Sequence, residues 1–217
     1  MTSAEPRNPA PVPMPPDLER VRRALASMPP GAPPSEGDLA AVALVLAGQP
    51  ADLHVCLIRR AEHEHDRWSG HIALPGGRVD AEDVSALAAA IRETREEVGL
   101  RLDDAPCLGS LGTQPVRSAG RITGMSLSPF VFHLGATLEP LTPTDGEVAE
   151  AFWVPLRHLL DPRNAARRPT PRDGVIFEFP AVLYEGHYIW GLTYRVLGTF
   201  FEHMDLAIAD PEVEASH

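Results

Sequence analysis

The clearest pattern along the chain is a pair of apolar runs, AAVALVLAG (40–48) and LHVCLIRR (53–60), separated by GQPAD. Both are rich in aliphatic and β-branched residues, so they predict two strands joined by a turn. Upstream, DLERVRRALASM (17–28) sets Leu18, Val21, Leu25 and Met28 at helical spacing, and PPGAPP ends that short helix. CLGSLGTQPV (107–116), MSLSPFVFHL (125–134) and AEAFWVPL (149–156) are further strand candidates. VIFEFPAVLYEGHYIW (175–190) predicts two or three short strands, with Glu185-Gly186 as a turn. LRHLL (156–160) predicts a short helix, and GLTYRVLGTFFEHM (191–204) a closing one with Leu192, Val196 and Phe200 on one side. PRNAARRPTPRDG (162–174) reads as a loop or mobile flap, and 61–71 as a polar loop. With a helix over 84–98, the order of elements predicts an α/β (α+β) fold: a mixed sheet between helices.

Six prolines and few bulky apolar residues make 1–16 an expected disordered segment. Helix and linker then occupy 17–37, the folded domain 38–206, and a loose acidic tail 207–217. The net charge of −11 argues against a nucleic-acid-binding surface, though not against an anionic small molecule met by local cations. All 19 basic residues are arginine, which excludes lysine chemistry. Cys56 and Cys107 both sit in apolar runs and read as buried free thiols. No run of about 18 apolar residues is present, so no membrane span is expected. The N-terminus does not read as a secretory signal, and a cytoplasmic location follows as the default. Nothing fixes the oligomeric state; a homodimer is one outcome left open.

The chemistry concentrates in LPGGRVDAEDVSALAAAIRETREEVGL (74–100). Asp83 is the expected N-cap and Gly99 the left-handed C-terminal cap. Leu87, Ile91, Thr94 and Val98 form the expected core stripe, while Glu93, Glu96 and Glu97, at i, i+3 and i+4, share another face. Such a run is either a solvated acidic face or a site for a hard divalent cation that relieves the mutual repulsion. The turn Pro75-Gly76-Gly77 in front of the helix lets the backbone approach a ligand closely. Arg92 and Arg95 can pair with neighbouring acids and fix their rotamers.

These residues resemble a Nudix box, Gly-x5-Glu-x7-Arg-Glu-U-x-Glu-Glu-x-Gly-U with U aliphatic. Gly77 opens it, and Arg92, Glu93, Glu96, Glu97, Gly99 and Leu100 close it in register, with Thr94 at the first U. Asp83, the sixth residue after Gly77, stands where the pattern has its first glutamate, and Arg92 lies one residue further along than the pattern has it. That insertion resembles the coenzyme A pyrophosphatase branch of the family. So do Gly70, Leu74, Pro75, Gly76 and Gly77 against Gly-x3-Phe-Pro-Gly-Gly, and Leu57, Arg60 and Ala61 upstream. Arg67 lies three residues before Gly70, where that branch has its arginine four before. Ile189-Trp190-Gly191-Leu192-Thr193 resembles a further segment of the branch.

The resemblance implies that Glu93, Glu96, Glu97 and the Gly77 carbonyl hold Mg2+ or Mn2+. It implies a catalytic role for the three glutamates, with Glu97 or an acid outside the box helping to deprotonate water. Glu147 and Glu150, in GEVAEAFWVPL, are candidates for that outside acid; the competing reading is plain surface acids. Arg59, Arg60, Arg67 and Arg78 cluster around the glycine turn and, with Gly76 and Gly77, are candidate substrate contacts, since guanidinium forks suit phosphate oxygens; the competing reading is strand-edge and loop solubility. Arg163, Arg167, Arg168 and Arg172 could act likewise. His63, His65 and His71 fit no zinc spacing and read as a solvated or substrate-side loop. The leading expectation is cleavage of coenzyme A or acyl-coenzyme A to 3′,5′-ADP and a 4′-phosphopantetheine. The alternatives are a pyrophosphatase for ADP-ribose, NADH or dinucleoside polyphosphates, or a non-catalytic nucleotide sensor.

Overall fold

The structure, a computed structural model, describes residues 12–28, 38–63, 68–118, 121–144, 146–172 and 174–211. Strand β1 (Asp38–Gln49) is central: it runs parallel to β7 (Arg121–His133) and antiparallel to β2 (Asp52–Arg60). Its near-continuous apolar sequence suits a strand covered on both faces. β3 (Ile72–Ala73) pairs with the far end of β2, and β4 (Gly76–Arg78) with the first half of β1. β5 (Cys107–Ser110) and β6 (Gln114–Ser118) pair with β7, and β8 (Val148–Pro155) with β2. Together these make an eight-stranded mixed sheet.

Alternation along the strands divides the core in two. Ala41, Ala43, Val45, Cys56 and Ile58 pack against α2 (Ala86–Val98). Leu44, Leu46, Val55 and Leu57 face the opposite way. There they meet α1 (Leu18–Leu25), α3 (Leu156–Leu160) and α4 (Gly191–Glu202). The expected mixed sheet between helices is what the chain adopts.

Several local expectations change. Residues 162–174 are not a flap: after a 3-10 turn (Pro162–Asn164), β9 (Ala165–Arg172) pairs along its length with β10 (Val175–Tyr184). β10 also pairs with β11 (His187–Trp190) through a turn at Glu185 and Gly186, both at positive φ. Pro169 and Pro171 hid this strand from sequence reading, but β9 is an edge, where missing donors cost no ladder bonds. Helix α2 starts at Ala86 with Ser85 as N-cap, its Oγ accepting from the Ala88 N–H at 3.1 Å. Asp83, the expected cap, is drawn off by Arg92. On α2 the small residues Ala86, Ala89 and Ala90 are buried with Thr94 and Val98, whereas Leu87 and Ile91 lie half-buried at the margin. Past 206, Ile208 and Ala209 remain buried, and the Ala209 N–H donates to the Leu159 carbonyl at 2.8 Å.

Candidate active site

The glycine turn and α2 are built against each other. Gly76 has φ +143°, and a β-carbon there would lie 2.2 Å from the Ala41 carbonyl oxygen, so only glycine fits between β1 and the helix. Its N–H donates to Glu97 Oε2 at 2.7 Å. A β-carbon on Gly77 would fall 2.5 Å from Glu93 Oε1, which places the Glu93 carboxylate directly against the backbone of the turn. Gly99, at φ +74°, closes the helix by donating to the Arg95 carbonyl, and the Thr142 and Thr144 N–H groups take the Val98 and Glu97 carbonyls.

The glutamates differ in setting. Glu97 is 2% exposed, on the sheet side of the helix rather than on an open acidic face. Glu93 is half-buried, and burial pushes its carboxyl above the usual range despite the opposing pull of Arg92. Glu96 is exposed. Arg92 ties the set together. It donates to Asp83 through Nε and Nη2 at 3.1 and 2.9 Å, and through Nη1 to Glu93 at 2.9 Å and Glu96 at 3.0 Å. Nη2 also reaches the Arg78 carbonyl at 3.3 Å. The Arg92 guanidinium holds Asp83 below the usual carboxylate range, and these acids push Arg92 further up.

This arrangement does not form a closed ligand set: among the described residues no three His, Cys, Asp or Glu side chains converge on one point. The donor chemistry nonetheless suits a hard divalent cation, being all oxygen, with Glu93 packed against Gly77.

The other expected residues fall elsewhere. Arg67 lies outside the described residues, as does His65. Arg60 is half-buried, its N–H donating to the His71 carbonyl at 3.0 Å; Arg78 is exposed at the end of β4. Glu150 is not brought to the α2 glutamates. Ala151 and Trp153 pack on the α2 side, and Phe152 on the other. Alternation therefore turns Glu150 away from α2. There it pairs with Arg59 at 2.8 Å and with His187 at 3.5 Å, and the Arg59 contact holds its carboxyl low. Glu147 is exposed, and its carbonyl accepts from the Ala61 N–H. Cys56 is fully buried and Cys107 half-buried, both free, and burial pushes both thiols up. Sequence reading did not single out His187, and it offered Arg59 as a phosphate contact, whereas the structure pairs it with Glu150. Strand register sets Arg59 opposite Glu150, and no local window of sequence contains either contact.

Residues 38–173 match the model of the NUDIX domain. The chain belongs to the Nudix family. The match takes in β1, the glycine turn, α2 and β8, but not the closing helix α4. The Nudix hydrolase NudL of Yersinia pestis, itself uncharacterised, is 33% identical over 141 residues, 65% of this chain and 67% of that protein. An uncharacterised protein of Schizosaccharomyces pombe is 42% identical over 117 residues, 52% of this chain. This chain spans only 35% of the length of the yeast protein. A MutT/nudix family protein from Enterococcus faecalis aligns with a TM-score of 0.49 at 21% identity, over 81% of this chain and 65% of that one. No helix among the described residues is long and apolar enough to cross a membrane.

Proposed function

We propose that this Nudix domain is a divalent-metal-dependent pyrophosphohydrolase. Glu93, Glu96 and Glu97, with the Gly77 carbonyl, would hold Mg2+ or Mn2+. The observation that carries this reading is Glu93 and Glu97 meeting the backbone of one glycine turn, with Arg92 bracing Glu93 and Glu96. A cation bound there offsets phosphate charge and lowers the pKa of water. The chain's own residues do the rest. Arg92 fixes two carboxylate rotamers, and the Gly76 N–H orients Glu97, which would help to take a proton from the attacking water.

For the substrate we favour coenzyme A or an acyl derivative, cleaved to 3′,5′-ADP and a 4′-phosphopantetheine. Support comes from the Gly70–Gly77 pattern, the insertion before Arg92 and the 189–193 segment. Arg60, Arg67 and Arg78 are the phosphate contacts this reading would use. The full chain should be incubated with magnesium and separate pyrophosphates: coenzyme A, 3′-dephospho-coenzyme A, ADP-ribose, NADH and a dinucleoside polyphosphate. We expect 3′,5′-ADP from coenzyme A, with activity abolished by a chelator and restored by magnesium or manganese. Full activity in excess chelator sinks the mechanism. Better turnover of both ADP-ribose and dephospho-coenzyme A than of coenzyme A sinks the substrate.

A further inference from the structure

The β9–β10 ribbon has an unusual face. Register pairs Arg168 with Phe179 and Thr170 with Phe177, so these four side chains share one side of the ribbon. Phe177 and Phe179 are exposed there, although both are large and apolar. The Arg168 guanidinium lies 4.0 Å over the Trp190 ring, and Phe179 meets the same ring at 5.7 Å. Arg168 donates to Thr170 Oγ1, and no carboxylate among the described residues pairs with it. Burial pulls its pKa down, the mark of a cation partly stripped of water without an anion in return.

Exposed aromatic rings beside a flat guanidinium that meets no carboxylate among the described residues are a stacking platform. Aromatic faces and arginine planes both stack on bases, and the guanidinium charge favours a ligand that also carries phosphate. The platform is tied to the glycine turn: His71 packs edge-on against Trp190 at 4.9 Å, and Gly76, five residues on, contacts Glu97. An extended span of that length covers at most about 18 Å. The ribbon and the glycine turn are thus linked by a short connection, and a ligand stacked on the ribbon would extend its phosphates toward α2.

We propose that the Arg168–Phe179 face of the ribbon binds the aromatic base of a nucleotide and is the base-recognition subsite of this enzyme. The assignment of that nucleotide as part of the substrate rests on the proposed function; the stacking itself does not. Calorimetric titration of the full chain in magnesium buffer with AMP and with ribose 5-phosphate tests it without turnover. AMP should bind at least about 10-fold more tightly. Phe179→Ala should weaken AMP by roughly 5- to 150-fold, the range for one base–aromatic stack, and leave ribose 5-phosphate unchanged. Ile176, 66% exposed and on the opposite face of the ribbon, supplies the control: Ile176→Ala should leave both ligands unaffected. The proposal falls if AMP does not bind, if ribose 5-phosphate binds as well as AMP, or if Ile176→Ala costs as much as Phe179→Ala. AMP stacking without any pyrophosphate cleavage would leave this subsite standing and remove the proposed function.

Discussion

The two sides of the central sheet carry carboxylates in opposite circumstances. On the α2 side, Glu97 is buried and held by a backbone N–H, and Glu93 sits against a glycine with its pKa raised by burial. On the other side, Glu150 is half-exposed and held by Arg59, with its pKa lowered. Burial makes charge costly at the first pair. The second is an ordinary ion pair near the surface, worth little to stability. Under the proposed function, the desolvated acids beside close-approaching backbone are the ones that would serve a cation or a proton transfer. The contrast separates residues that looked alike in sequence.

The largest test of that contrast is Glu97→Gln against Glu150→Gln. Glutamine keeps an oxygen for the Gly76 N–H, so the fold should survive, while turnover should drop by at least about 100-fold, the lower range for a lost general base. Glu150→Gln should stay within a few-fold of wild type. Steady-state rates on the best substrate decide it. The reverse order would return the role to Glu150 despite its position.

The paired glycines give the next effects, and they should differ in kind. At Gly76 a side chain meets the Ala41 carbonyl and the Val42 backbone at positive φ. Gly76→Ala should cost roughly 2–4 kcal/mol in urea unfolding, combining backbone strain with overpacking. At Gly77 the clash is with the end of the flexible Glu93 side chain, which can swing aside. Gly77→Ala should therefore leave stability within about 1 kcal/mol yet lower turnover and the affinity for magnesium. A Gly77→Ala enzyme with wild-type rates would show that the placement of Glu93 against the turn has no catalytic consequence.

What could be read in advance follows physical range. β1, β2 and the Glu93–Glu97 spacing are local patterns, and the apolar runs and helical periodicity disclosed them. The burial of Glu97 was not legible. On a helical wheel it joins Glu93 and Glu96, but the core face of α2 is built on alanines, which rotates the buried sector toward Glu97. β9 was missed because prolines mark loops unless the strand is an edge. The position of Glu150, and the meeting of Arg168, Phe179 and Trp190, depend on strand register that no local window contains.

The N-cap of α2 shows the same limit on a smaller scale, and it carries the smallest predicted effect. Asp83 and Ser85 are both good caps two residues apart, and the choice between them is made by Arg92, nine residues beyond Asp83. Because Arg92 holds the Asp83 carboxyl below its ordinary value, the stabilisation is fully present above the unfolded pKa of about 3.9. It is lost as pH falls through the lower folded value. Asp83→Asn should thus cost about 1 kcal/mol at pH 7, a charged hydrogen bond discounted for partial exposure, and the gap to wild type should close in strong acid. The helix should persist, since Ser85 caps it independently. Turnover should fall modestly, because an Arg92 freed from Asp83 still reaches Glu93 and Glu96 but is no longer fixed from behind. An unfolding midpoint for Asp83→Asn equal to wild type at pH 7 would mean that Arg92 is positioned by the glutamates alone.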